Sequence, residues 1–149
     1  MVLVSRNGRA PAPELVAAVG PADIVLVDAA VGLPAGWLGR LVLAARERTD
    51  IGTVTPAFGR ARAIDPDARR VIIAPAVSHC LYVTRRALTV LGARVDLRRV
   101  AHSAAAHGFV SVLAADVTVT GQPVEPVRPL GHVDLPATAR APPASRPCG

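Results

Sequence analysis

"DIVLVDAAVGLPAGWLGRLVLAARERTDIGTVT", residues 23–55, decides the fold. Ile24 to Val27 form an unbroken apolar run closed by Asp28, the pattern of a strand buried on both faces of a parallel sheet. From Pro34 onward, Leu38, Leu41, Val42 and Ala45 recur at i, i+3, i+4 and i+7, while Arg40, Arg46, Glu47 and Arg48 fall elsewhere on the wheel. That spacing predicts an amphipathic crossover helix. Through Asp50 the chain enters a second strand, "IGTVT" at 51–55, so strand, helix and strand follow one another as in a right-handed βαβ unit. The fold class is α/β.

Outward from this unit the alternation continues. "MVLV" predicts a short strand over 2–4, and "PELVAAVG" a short helix over 13–20 that starts at Pro13 and stops at Gly20. On the other side, residues 56–70 carry Pro, Gly and four arginines and read as a long exposed loop. Residues 71–84 are β-rich, 85–92 predict a short helix stopped by Gly92, and 96–108 a second one stopped by Gly108. "FVSVLA" at 109–114 and "DVTVT" at 116–120 read as two closing strands. From Gly121 onward there are seven prolines and no apolar period, so residues 121–149 are expected to be a disordered, Pro-rich tail behind a domain of residues 1–120.

Composition narrows the function classes. With 149 residues the chain builds one domain at most. No apolar run approaches the roughly 18 residues of a membrane span, and the opening "MVLVSRNGRAPAPE" has too short an apolar run for a secretory signal, with Arg6 and Arg9 after it. The expected location is the cytoplasm. Two cysteines, Cys80 and Cys148, make neither a disulfide framework nor a zinc site, and Cys80 reads as a small buried apolar residue. The net charge of +6 comes entirely from arginines, which are scattered in pairs at most among only four aromatic residues. Stacking platforms for nucleic acid are therefore scarce, and a nucleic-acid partner is not expected.

Three ordered blocks resemble the family 2 glycosyltransferases. "DIVLVDAAVGLPAGWLGRLVLAARERTDIGTVTP" is similar to the family's buried strand ending in an acidic metal motif, followed by proline, Gly-Trp, a helix and a strand close to Ile-Gly-Thr-Val-Thr-Pro. "SHCLYVTRRALTVLG" resembles the strand with a small residue or Cys, then Arg-Arg and a helix ending in Leu-Gly. "AAAHGFVSVLAADVTVTG" resembles the closing block that ends Val-x-Val-x-His. The likeness covers about residues 23 to 120. It implies a partial GT-A fold, a Rossmann-like mixed sheet flanked by helices, and transfer of a sugar from a nucleotide-sugar to an acceptor hydroxyl on a glycan or lipid. A peripheral position at the inner membrane face, and association with a complete glycosyltransferase, are further expectations of the same likeness.

Residue by residue, the resemblance puts Asp28 at the first position of the metal and donor-binding triplet, Ala29 at the middle, and Ala30 where the family has its metal-binding carboxylate. The implied cofactor is manganese or magnesium, which neutralises the donor diphosphate. One of two acidic ligands is thus replaced, and the other reading of Asp28 is a strand-end residue capping the next turn through its own side chain. The resemblance puts the catalytic base of inverting members at Asp96 if the helix is redrawn by about half a turn, and as it stands Asp96 fits the N-cap of the helix that follows it. His102 and His107, five residues apart, do not share a helix face well enough for a metal pair. His79 reads as a partly buried neutral histidine, His132 falls in the tail, and Gly121 replaces the family's final His. The family's opening nucleotide-binding strand and helix have no counterpart, which implies an impaired enzyme or an inactive remnant serving as a binding or assembly module.

Overall fold

The computed structural model describes residues 2–5, 20–59, 69–92, 98–121 and 126–132. Residues 13–19 of the helix expected over 13–20, Asp96 and residues 133–149 lie outside them. Among the described residues, seven strands form one mixed sheet: β1 (Val2–Ser5), β2 (Ile24–Asp28), β3 (Ile51–Phe58), β4 (Arg70–Ile73), β5 (Cys80–Val83), β6 (Val110–Val119) and β7 (Pro129–His132), in the order β1-β2-β5-β3-β6-β4-β7. Three helices among the described residues accompany it: α1 (Trp37–Arg46), α2 (Arg85–Leu91) and α3 (Val100–Ala106). None is long and apolar enough to cross a membrane. The α/β class and the mixed sheet agree with the sequence.

Alternation along the central strands sorts the core into two faces. Val25 and Val27, Cys80 and Tyr82, and Val112 and Ala114 belong to one apolar cluster with Leu41, Ala44 and Ala45 of α1. Ile24, Leu81 and Val83 point the other way and cluster with Ala87 and Leu88 of α2 and Val100 and Ala104 of α3. Helix α1 starts at Gly36, whose φ of 70° places the chain in the left-handed region that glycine enters at least cost. The half-buried Trp37 then packs against the first cluster. Helix α2 is capped by Thr84, whose hydroxyl accepts from the Ala87 N–H at 3.4 Å. Gly52 in β3 sits where any Cβ would lie 2.6 Å from the Cβ of Phe109, so close packing at the start of α3's following strand requires glycine.

The strand pairing adds one feature that the apolar pattern does not carry and corrects two expectations. β2 and β3 are parallel but not adjacent: β5 inserts between them, antiparallel to both. Apolar periodicity marks a crossover but carries no information on whether a later strand enters the gap. The break expected at Ala115 is instead an irregularity within one strand, β6, where pairing jumps from Pro56↔Ala114 to Ala57↔Thr118. Pro56 cannot donate to a ladder, and the displaced residues of β6 include Asp116. Finally, the disorder expected throughout the segment after Gly121 does not hold for residues 129–132, which pair with β4 as edge strand β7. Pro129 at its first position is compatible with an edge.

Asp116, displaced in β6, meets Arg70 of β4. The Arg70 guanidinium donates to Asp116 Oδ1 through NH1 and to Glu47 Oε1 through Nε at 2.9 Å, while Arg40 of α1 donates to the Asp116 carbonyl at 2.9 Å. Arg70 is buried, and this cluster ties the end of α1 to β4 and β6. Arg48 and Asp50 form a two-bond pair at 2.9 and 2.5 Å on the approach to β3. The hydrogen bond from Arg48 holds the Asp50 carboxyl below its ordinary pKa.

Candidate functional site at the carboxyl ends of the parallel strands

β2, β3 and β6 run in one direction, since β2 and β3 both oppose β5 and β3 is parallel to β6. Their carboxyl ends therefore share one edge of the sheet, the edge outside which ligands bind in α/β folds. Asp28 closes β2 there, and β5 enters from the same edge at Cys80, the register partner of Val27. The register brings together two residues 51 positions apart, Asp28 and His79.

Asp28 is held by its own backbone and by the turn it starts. Its N–H donates to the His79 carbonyl at 2.7 Å, and its carbonyl accepts from the Val31 N–H at 3.0 Å. Oδ1 accepts the Ala30 N–H at 3.0 Å, which closes an Asx turn. Oδ2 lies 3.4 Å from Nδ1 of His79. The Asp28 side chain is 12% exposed and that of His79 36%. Beyond the turn, Gly32 and Thr120 exchange backbone hydrogen bonds of 3.1 and 3.0 Å, and the Gly59 N–H donates to Val119 at 3.1 Å. The loops after β2, β3 and β6 are thereby joined along this edge.

Behind the edge the polar groups satisfy one another. Thr55 Oγ1 lies 2.8 Å from Ser78 Oγ, and both hydroxyls contact the Cys80 carbonyl, at 3.0 and 2.8 Å. The Cys80 thiol is buried, which pushes its pKa up to about 12, so this sulfur is not a ready nucleophile. A separate group lies at the opposite end of β2, where Tyr82 donates its hydroxyl to Asp23 Oδ2 and the Arg85 N–H donates to Oδ1 at 2.6 Å. Burial, and then the bond to Asp23, raise the Tyr82 phenol pKa. This group fixes the start of β2 against β5 and α2.

Of the residues singled out by sequence, Asp28 sits at the carboxyl edge of the parallel strands, with exposed Ala29 and Ala30 beside it. Asp96 lies outside the described residues. His102 is exposed on α3, and Nδ1 of His107 is 2.9 Å from the Ser103 carbonyl at the end of the same helix. Gly121 neighbours Phe58 and Val31 at this edge. His79, read from the sequence as a partly buried histidine, is half-buried, and its approach to Asp28, which no local pattern marks, follows from the β2–β5 register.

Among the described residues no three His, Cys, Asp or Glu side chains gather into a metal-binding group. The acidic side chain that this edge presents is Asp28, with the His79 ring beside it. Compared with protein-family models, with characterised proteins and with solved structures, the chain matches none.

Proposed function

We propose that this chain is a glycosyltransferase-like domain whose ancestral chemistry is transfer of a sugar from a nucleotide-sugar to an acceptor hydroxyl, impaired here by loss of an acidic ligand. The observation that carries the reading is Asp28 at the carboxyl end of a buried strand, on the edge that β2, β3 and β6 share. A divalent ion, when bound, would neutralise the donor diphosphate and the departing nucleotide. In this chain Asp28 is the residue that would hold it, by the place the resemblance gives it at the end of β2. The loops pinned by Gly32 and Thr120 would flank the phosphates, and Asp96 is the base that the resemblance implies.

A second reading, an inactive remnant that binds or assembles with a complete transferase, is favoured by the side chains at 29 and 30, two exposed methyls with no ligand atom. Calorimetric titration with a uridine or guanosine diphosphate-sugar plus manganese separates the two. Heat of binding is expected for a donor-binding domain and none for a remnant. Ala30→Asp adds a carboxylate two residues after Asp28 and should tighten manganese binding detectably. An unchanged affinity in a folded variant would favour the remnant.

A further inference from the structure

We propose that the outer face of α2 and α3 is a docking surface for a membrane rich in anionic phospholipid. It stands on the charge and exposure of that face, and it goes beyond the donor reading above without depending on it.

The two helices lie on the face of the sheet opposite α1, joined through one apolar cluster that takes Ala87 and Leu88 from α2 and Val100 and Ala104 from α3. Burying those residues turns the others outwards. On α2 this exposes Arg86, Thr89 and Val90, which at i, i+3 and i+4 share one side of the helix, and at α3 it exposes Arg99, His102 and Ala106, at i, i+3 and i+7. Between Arg85 and Gly108 the chain carries five arginines and one acidic residue, Asp96, so +4 of the net +6 is concentrated in this short stretch.

Arginines elsewhere are engaged by acids or carbonyls. Arg70 binds Glu47 and Asp116, Arg48 binds Asp50, and Arg40 donates to the Asp116 carbonyl. Arg86 and Arg99 enter no ion pair among the described residues. The charge of Arg86 reaches Asp50, whose two carboxylate oxygens Arg48 already holds, so that acid has little left to offer it. The face is therefore an uncompensated basic surface.

The chemistry of the face selects its partner. Guanidinium groups pair with phosphate through two parallel hydrogen bonds, and each basic side chain close to an acidic membrane strengthens partitioning about fivefold. Val90, 53% exposed and one turn after Arg86, adds an apolar contact for the boundary between headgroups and acyl chains. Neither α2 nor α3 carries an aromatic residue, so the face has no platform on which nucleic-acid bases could stack.

Flotation of the full chain at low salt tests the surface, with vesicles of phosphatidylcholine alone and of phosphatidylcholine mixed with phosphatidylglycerol. The chain should float with the acidic vesicles only, and should be released as salt approaches about 1 M, where screening acts within about 3 Å. Arg86→Gln and Arg99→Gln should each lower partitioning about fivefold, and the double variant about twentyfold. Both positions are exposed, so these variants keep the fold. Arg46→Gln removes the same charge from exposed α1, on the other side of the sheet, and should change partitioning by less than about twofold. No flotation of the folded wild type, equal losses in Arg46→Gln and Arg86→Gln, or undiminished flotation of the double variant would each overturn the surface. So would single-stranded RNA that binds more tightly than the vesicles at equal phosphate concentration and loses its own binding in the double variant, since the face would then belong to nucleic acid.

Discussion

Single atoms decide how much change several positions tolerate. At Gly52 an added methyl would meet the Phe109 Cβ at 2.6 Å, an atom that no rotamer change can move. Gly52→Ala should therefore cost about 1–3 kcal/mol, the usual penalty of overpacking, read as a lower urea midpoint at constant slope. Cys80 behaves in the opposite sense, protected by its surroundings. Its pKa rises from 9.0 to about 12 on burial, so the neutral thiol is favoured in the folded state. Its contribution to stability is fully present below about pH 9 and declines as pH rises towards 12. Peptide-resolved alkylation at pH 8 should label Cys80 only in urea, and rapid native labelling would contradict its placement. At this scale, legibility in the sequence follows sequence separation. The Asx turn of Asp28 spans two residues and is among the readings that the sequence offers, whereas the approach of His79 depends on a strand pairing that no nearby residue announces.

At the scale of elements, the joint between α1, β4 and β6 rests on one buried arginine. Arg70→Met removes the partner of both Glu47 and Asp116. Glu47 Oε2 is itself buried without a hydrogen-bond partner among the described residues, so little else compensates that carboxylate. Breaking a buried pair of this kind costs on the order of 3–5 kcal/mol, and the partial exposure of the two acids argues for about 3. Urea unfolding checks this, and a loss under about 0.5 kcal/mol would reduce the cluster to an ordinary surface pair. The sequence makes α1, α2, β2 and the start of β3 legible because apolar period and flanking Gly and Pro agree. It does not reveal the insertion of β5 between β2 and β3, or Arg70 as a buried residue, because both follow from contacts between distant segments.

Across the whole molecule, the sheet ends on a short strand that the sequence assigns to a disordered tail. β7 covers the edge of β4, whose Val71 and Ile73 are buried. Truncation after Gly121 would expose that edge and should promote self-association, since an unpaired strand is a template for further pairing. Light scattering should detect it, and a monomeric, equally stable truncation would show that β7 adds nothing. Seven prolines without apolar period outweigh, in a sequence reading, four residues whose pairing is set by β4. The central claim concerns the opposite feature of the sheet, the edge shared by Asp28, Phe58 and Val119. Amide NMR of the full chain during addition of a uridine or guanosine diphosphate-sugar with manganese tests it most directly. The account predicts saturable changes concentrated at residues 28–32, 79, 59 and 119–121; changes centred on α2 and α3, or none in a folded chain, would contradict it.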